Sequence, residues 1–270
     1  MPIFGTQQPE ATAEPPPEAS QRLQAGSFTS DLSVDELLCL ESRGFDALGL
    51  VLGSSIYHIG WQRIRTAKNE ELTTISKAMY DARRMAISRM ESEAAMLDAD
   101  GIVGVRMEIT RRDWAEDILE FVFIGTAIRA RDQAHRIRPQ HGMPFSSDLT
   151  GQDFFKLHIA GFRPVRFVFG SCVYHVSTQS VGQWFRQLSG STEHVPLTKG
   201  TYAARELAMS RMEAECKQFG GEGVVAVRVY EHNHGWGSHV IEFFALGTAV
   251  VRDAGGGSVA PPSMVLTMDG

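Results

Sequence analysis

Apolar positions along this chain follow two periods that succeed one another, and the succession happens twice. Between Leu48 and Ile56, and again between Val165 and Val173, short runs rich in Val, Leu, Phe and Ile predict a buried strand. A Gly-Ser pair interrupts each run, Gly53-Ser54 and Gly170-Ser171, and glycine inside a strand marks a bulge or a close backbone approach. The period then changes. Met79, Ala82, Ala86, Met90, Ala94 and Leu97 recur at spacings of three and four, which predicts a helix from Thr74 to Leu97 with one apolar face. Ala204, Ala208, Met212, Cys216 and Phe219 trace the same stripe on a helix from Lys199 to Phe219. Arg83, Arg89, Glu91 and Glu93 fall on the other faces of the first of these helices. Two strands close each unit, Ile102 to Ile109 with Ile118 to Ile128, and Val224 to Tyr230 with Val240 to Val251. The short connectors, carrying Trp114 and Trp236, predict antiparallel hairpins.

A short capped helix precedes each first strand. Ser33 followed by Glu36 forms a capping box, and Gly44 suits the left-handed residue that ends the helix. In the second unit Thr150 caps, Asp153 stands at the third helical position, and Gly161 closes. The two units are copies. Ser30-Asp31-Leu32, Gly53-Ser54 and Tyr57-His58 recur 117 residues later, as Ser147-Asp148-Leu149, Gly170-Ser171 and Tyr174-His175. Arg83, Arg89-Met90-Glu91, Glu93, Arg106, Glu120-Phe121 and Gly125-Thr126-Ala127 recur 122 residues later. An internal duplication of this kind sets the domain count at two. The expected division is an arm over 1–29, domain 1 over 30–132, a linker over 133–146, domain 2 over 147–253, and a tail over 254–270.

Each unit has a physical difficulty. Three strands and one principal helix make a small core and leave sheet edges and part of a face uncovered. Pairing with a neighbour resolves this, first within the chain and then by self-association.

Bulk properties narrow the partners. The chain has 270 residues, 21% charged, with a net charge of −6 and basic residues scattered, which argues against nucleic acid. No apolar run reaches the ~18 residues of a membrane span. The Pro- and Glu-rich arm lacks the regions of a secretory signal and reads as disordered. Three cysteines, Cys39, Cys172 and Cys216, do not correspond between copies, which suits a reducing cytoplasm better than a disulfide framework.

The run Ala82-Arg83, Arg89-Met90-Glu91-Ser92-Glu93-Ala94, Leu97 to Arg106, then Glu120-Phe121 and Gly125-Thr126-Ala127, resembles the YbjQ-like family. The second copy matches with Ala204-Arg205, Arg211-Met212-Glu213-Ala214-Glu215, Glu222 to Arg228 and Gly247-Thr248-Ala249-Val250. The resemblance implies an α+β fold of two tandem dodecin-like β-α-β-β domains, each a three-stranded antiparallel sheet with a long helix. It also implies rings of five and a heavy-metal-binding label. The duplication, the added capped helices and the tails depart from single-domain members. With fivefold rings, two domains per chain suggest two rings, stacked or nested, from five chains: a homopentamer of about 149 kDa from 29.8 kDa chains, a pseudo-decamer of domains.

Candidate sites are weighed against plainer readings. His232, His234 and His239 in the last hairpin connector are imidazole donors suited to a divalent transition metal, yet copy one has Thr110, Arg112 and Asp117 there. An exposed histidine-rich loop is the plain reading. His58 and His175 occur in both copies, with Cys172 near the second; they read as metal ligands, or as packing and hydrogen-bonding groups at an interface. Arg106 with Glu120, and Arg228 with Glu242, read as cross-strand ion pairs or as an anion site. Glu91 and Glu93 lack a nucleophile motif and read as a solvated face or a subunit contact. No phosphate loop or dinucleotide motif occurs. The chain thus reads as a cytoplasmic, non-enzymatic, self-assembling scaffold or ligand-binding ring. Genuine metal binding and an interfacial enzyme site are the alternatives, and the terminal tails are candidate docking segments for a protein partner.

Overall fold

Local sequence accounts for each element of the computed structural model, which describes residues 17–24, 28–58, 69–112, 115–132, 136–137, 142–176, 195–232 and 240–253. Helix α1 spans Pro17–Gln24, within the arm expected to be disordered. Helix α2, Val34–Ser42, begins at the capping box: Ser33 accepts from the Glu36 amide, and the Glu36 carboxylate accepts from the Ser33 amide. Gly44, at φ +76°, ends it, as Gly161 at φ +76° ends helix α4, Gly151–Ile159, whose N-cap is Thr150. Only glycine holds that conformation without steric cost.

In domain 1, strand β1 (Phe45–His58) pairs antiparallel with β4 (Ala115–Ala130), and β4 with β3 (Gly101–Arg112). In domain 2, β6 (Phe162–His175) pairs with β8 (Val240–Arg252), and β8 with β7 (Gly223–His232). Helix α3, Thr73–Met96, and helix α5, Val195–Gln218, are the long helices. Gly53 and Gly170 do not bulge; the ladder runs through both. A Cβ at Gly53 would lie 2.0 Å from the Ala86 carbonyl oxygen, and one at Gly170 would lie 2.0 Å from that of Ala208. The glycines let each helix backbone rest on its strand.

The sheets have four strands, not the three expected from each repeat. The fourth is a two-residue strand supplied by the other domain. Strand β5 (Phe145–Ser146), inside the expected linker, adds parallel to the β3 edge of domain 1. Strand β2 (Glu70–Glu71), just before α3, adds antiparallel to the β6 edge of domain 2. Each domain thus lends backbone to an edge the other would leave unpaired, which is how exposed edges are commonly protected.

The result is a stack of layers in the order first sheet, α3, second sheet, α5. Helix α3 is buried on two sides. Met79, Ala86 and Met90 join one core with Val51, Phe121 and Phe123 of the first sheet and with Phe167, Phe169 and Phe244 of the second. Helix α5 covers the opposite face of the second sheet, where Ala208 and Met212 meet Val168, Cys172 and Phe243. A third cluster around Leu40, Phe45, Phe145 and Phe154 joins α2 and α4 at the seam.

Candidate functional site

Among the described residues, several buried charges meet at the seam between domains. Arg83, on the side of α3 away from its own sheet, is fully buried and bonds Glu242 Oε1 of β8 at 2.7 Å and Ser171 Oγ of β6 at 3.2 Å. Ser171 Oγ donates to the same carboxylate at 2.8 Å. The guanidinium lies 4.8 Å from the Phe121 ring centroid and 4.2 Å from that of Phe244. Its Nε and Nη2 make no hydrogen bond, and the ring faces supply their compensation.

Three further pairings cross the seam. Glu91 accepts both guanidinium bonds of Arg166, at 3.0 and 2.5 Å, and a hydroxyl bond from Ser146 at 2.9 Å. Glu215 accepts Tyr80 Oη at 2.9 Å and the Phe169 amide at 2.7 Å, with Arg84 at 3.4 Å. Burial, then the Glu215 carboxylate, pushes the Tyr80 hydroxyl up. Burial disfavours the Arg84 charge, but Glu215 and Glu91 outweigh it and hold the guanidinium above its ordinary range. Arg211 is clamped by both carboxylate oxygens of Glu71, at 2.6 and 2.8 Å. Acids and bases here neutralise one another across a packed surface, an arrangement suited to fixing two domains in register.

Glu91 and Glu93 were expected on a solvated face or a subunit contact, and Arg83 on a face away from the apolar stripe; all three are buried within the chain. Charged residues on the non-core faces of an amphipathic helix read as solvent-facing, so the periodicity misses a second buried side. The available signal was their recurrence at Arg205, Glu213 and Glu215.

The expected hairpin ion pairs do not form. Arg106 lies opposite Ile124 while Glu120 lies opposite Thr110; Arg228 lies opposite Leu246 while Glu242 lies opposite His232. Register shifts between Val103 and Arg106, and between Val225 and Arg228, set these offsets. Arg106 pairs instead with Asp31, and Arg228 with Asp148 at 2.8 Å, both in the Ser-Asp-Leu segment that opens each domain. That segment is held identically in both copies. Ser30 Oγ meets Thr126 Oγ1 at 3.3 Å, and Ser147 Oγ meets Thr248 Oγ1 at 3.0 Å. Burial raises the Asp148 carboxyl, against the opposing bonds from Thr248 and Arg228.

The metal candidates are dispersed. His234 and His239 lie outside the described residues. His232 ends β7 opposite Glu242, and His175 ends β6 opposite Val240, so both belong to the α3-facing side of the second sheet. Cys172, three residues from His175, belongs to the α5-facing side, where burial pushes its thiol up to about 12. His58 ends β1, in the other sheet, opposite Ile118. Among the described residues no three His, Cys, Asp or Glu side chains come together as metal ligands. Nor is any described helix long and apolar enough to cross a membrane.

Comparison with known proteins agrees with the duplication. The encapsulin nanocompartment protein Rv1762c of Mycobacterium tuberculosis is 44% identical over 255 residues, covering 94% of this chain and 97% of its own. Shorter relatives align with one part of the chain. The UPF0145 protein NP_2600A of Natronomonas pharaonis is 34% identical over 92 residues, 32% of this chain and 86% of its own. A UPF0145 protein of Halorubrum lacusprofundi is 36% identical over 91 residues, again 32% of this chain and 86% of its own. The profile of one family, YbjQ_1, described as "Putative heavy-metal-binding", matches residues 45–131 and again 135–253. The chain belongs to the YbjQ_1 family, as a tandem duplication of its domain.

Proposed function

We propose that this protein is a non-enzymatic, self-assembling component of the cytoplasm, whose two dodecin-like domains build a ring that serves as a scaffold or ligand-binding assembly. Five chains supply ten domains, in line with the fivefold rings that the sequence resemblance implies. The carrying observation is that Leu52 and Ile56, on the outer face of the first sheet, are exposed among the described residues, whereas the corresponding face of the second sheet is buried under α3. An uncovered apolar sheet face in a duplicated, layered protein calls for a neighbour. The relative named an encapsulin nanocompartment protein supports the same direction: carried to this chain, its name makes the ring a part of a protein compartment. The charged groups described at the seam pair with one another across the domains, with no nucleophile motif beside them, which supports a structural role.

Sedimentation velocity at micromolar concentration tests the proposal. A species near 149 kDa, five chains of 29.8 kDa, is expected, and a stable monomer would overturn it. Heavy-metal binding through His232, His234 and His239 is the second reading, since copy one has Thr110, Arg112 and Asp117 at the matching positions. Stoichiometric metal that disappears when these histidines are replaced would favour it.

A further inference from the structure

We infer that the seam joining the two domains within a chain is repeated between chains, head to tail, with domain 2 of one copy receiving domain 1 of the next. This rests on the self-assembly reading above and names the contacts through which it occurs.

The strand edges carry the first part. Within the chain, Phe145 to Leu149 runs along the β3 edge: Phe145 donates to the Asp100 carbonyl at 3.0 Å and Ser147 to that of Ile102 at 2.9 Å. Gly104 in turn donates to the Leu149 carbonyl at 2.8 Å, and Val105 to that of Ser147 at 2.9 Å. The corresponding edge in domain 2 is β7, and the corresponding segment is Phe28 to Leu32 of domain 1. The segment is already held against its own sheet by Thr126 and Arg106, as its counterpart is by Thr248 and Arg228. The edge is shaped as well. Gly104 takes φ +66° at the β3 bulge, and Ala226 takes φ +54° at the matching place in β7, although alanine is strained there.

The side chains agree. A Cβ at Gly101 would strike the Phe145 ring at 2.2 Å, whereas one at Gly223 meets nothing within 4 Å. Phe145 is 1% exposed, while its counterpart Phe28 is 57% exposed. Val105 is 2% exposed against 41% for Val227, and Val173 0% against 62% for Ile56. The apolar groups buried at the seam are thus exposed at the two ends of the chain, one set on each end. Unlike ends that complement each other make a heterologous contact, which closes into a ring when the rotation allows.

The charges supply an independent sign. At the seam, Glu215 receives Tyr80 and the cation Arg84 from α3. At the other end, the counterparts are Glu93 for Glu215 and Tyr202 for Tyr80, but Arg84 is replaced by Glu206. Docking α5 of one copy on domain 1 of the next would set two carboxylates together. Arg22 of α1 resolves this: it already bonds Glu93 at 2.9 Å and the Leu50 carbonyl at 3.0 Å, and so stands ready between Glu93 and an incoming Glu206. The cation lost from the helix is restored by the arm.

Strict alternation of domains follows. A ring built this way contains an even number of domains, so ten from five chains is allowed and a closed ring of five domains is not.

Cross-linking tests the inference. Phe145 and Gly101 are register partners on adjacent strands, a spacing that a disulfide spans. F28C/G223C in a C39S background is expected, on oxidation, to give a ladder of covalent oligomers, whereas G101C/F145C gives cross-linked monomer only. A second test does not depend on cysteine. R22E, which crowds Glu93 and Glu206 with a third carboxylate, is expected to weaken assembly about tenfold or more, and E206R in the same chain to restore it. Protein that sediments as an assembly yet forms no cross-chain link, or an R22E defect that E206R does not restore, overturns the head-to-tail contact. Protein that sediments as a monomer overturns the self-assembly reading itself.

Discussion

Replacing Glu242 with leucine removes the acceptor of the most deeply buried ion pair among the described residues. Arg83 and Glu242 are both fully buried, 2.7 Å apart, and belong to different domains. Without the carboxylate, the guanidinium keeps Ser171 Oγ at 3.2 Å and the faces of Phe121 and Phe244, while its charge has no counterion. Breaking one partner of such a pair costs about 3–5 kcal/mol, whereas replacing both with apolar side chains of similar volume is often neutral or better. A total stability of roughly 5–15 kcal/mol makes that single loss large. Urea unfolding at one fixed protein concentration is the appropriate assay, because assembly makes apparent stability depend on concentration. E242L is expected to lose about 3–5 kcal/mol, and R83M/E242L to recover most of it. A loss below about 1 kcal/mol for the single variant would refute the reasoning, since it would mean that the cation is solvated. A double variant as unstable as the single one would show that shape, not charge, holds the seam.

Other consequences follow from the same geometry. Gly53→Ala pushes a Cβ against the α3 backbone at Ala86 and Met90 and is expected to cost about 1–3 kcal/mol or more, read by the same unfolding assay. The Cys172 thiol, pushed up to about 12 by burial and then by Glu71, should resist alkylation at neutral pH in the folded protein and react once it unfolds, which mass spectrometry detects. Burial raises the Asp148 carboxyl above its unfolded value, so its protonated form favours folding; that contribution is complete below the unfolded value and disappears as pH rises through the raised one. Asp148→Asn should therefore flatten the dependence of stability on pH across that window.

Much of the fold was legible because it is local. Ser33 with Glu36, Thr150 with Asp153, and the closing glycines Gly44 and Gly161 announce their helices through chemistry contained within a few residues. Gly53 and Gly170 announced a bulge or a close approach, of which only the close approach occurs, and the stripe from Met79 to Ala94 is the side of α3 that lies on its own sheet. What failed was long-range. Phe145-Ser146 has no period to read in two residues, so a strand looked like linker. The pairing of Arg106 with Asp31 depends on a bulge and on a segment 75 positions earlier, which no hairpin rule contains. The buried charges of α3 required knowledge that a second sheet would cover its far side. The duplication held that information in part, since Arg83, Glu91 and Glu93 recur at Arg205, Glu213 and Glu215. It did not say which copies would meet.

The most direct test of self-assembly is native mass spectrometry of the full chain beside its Ile56→Glu variant, which places a charge on the uncovered face of the first sheet. The account predicts about 149 kDa for the wild type and a single chain of 29.8 kDa for the variant. A wild-type mass of one chain, or an Ile56→Glu protein that retains the full assembly, would contradict it.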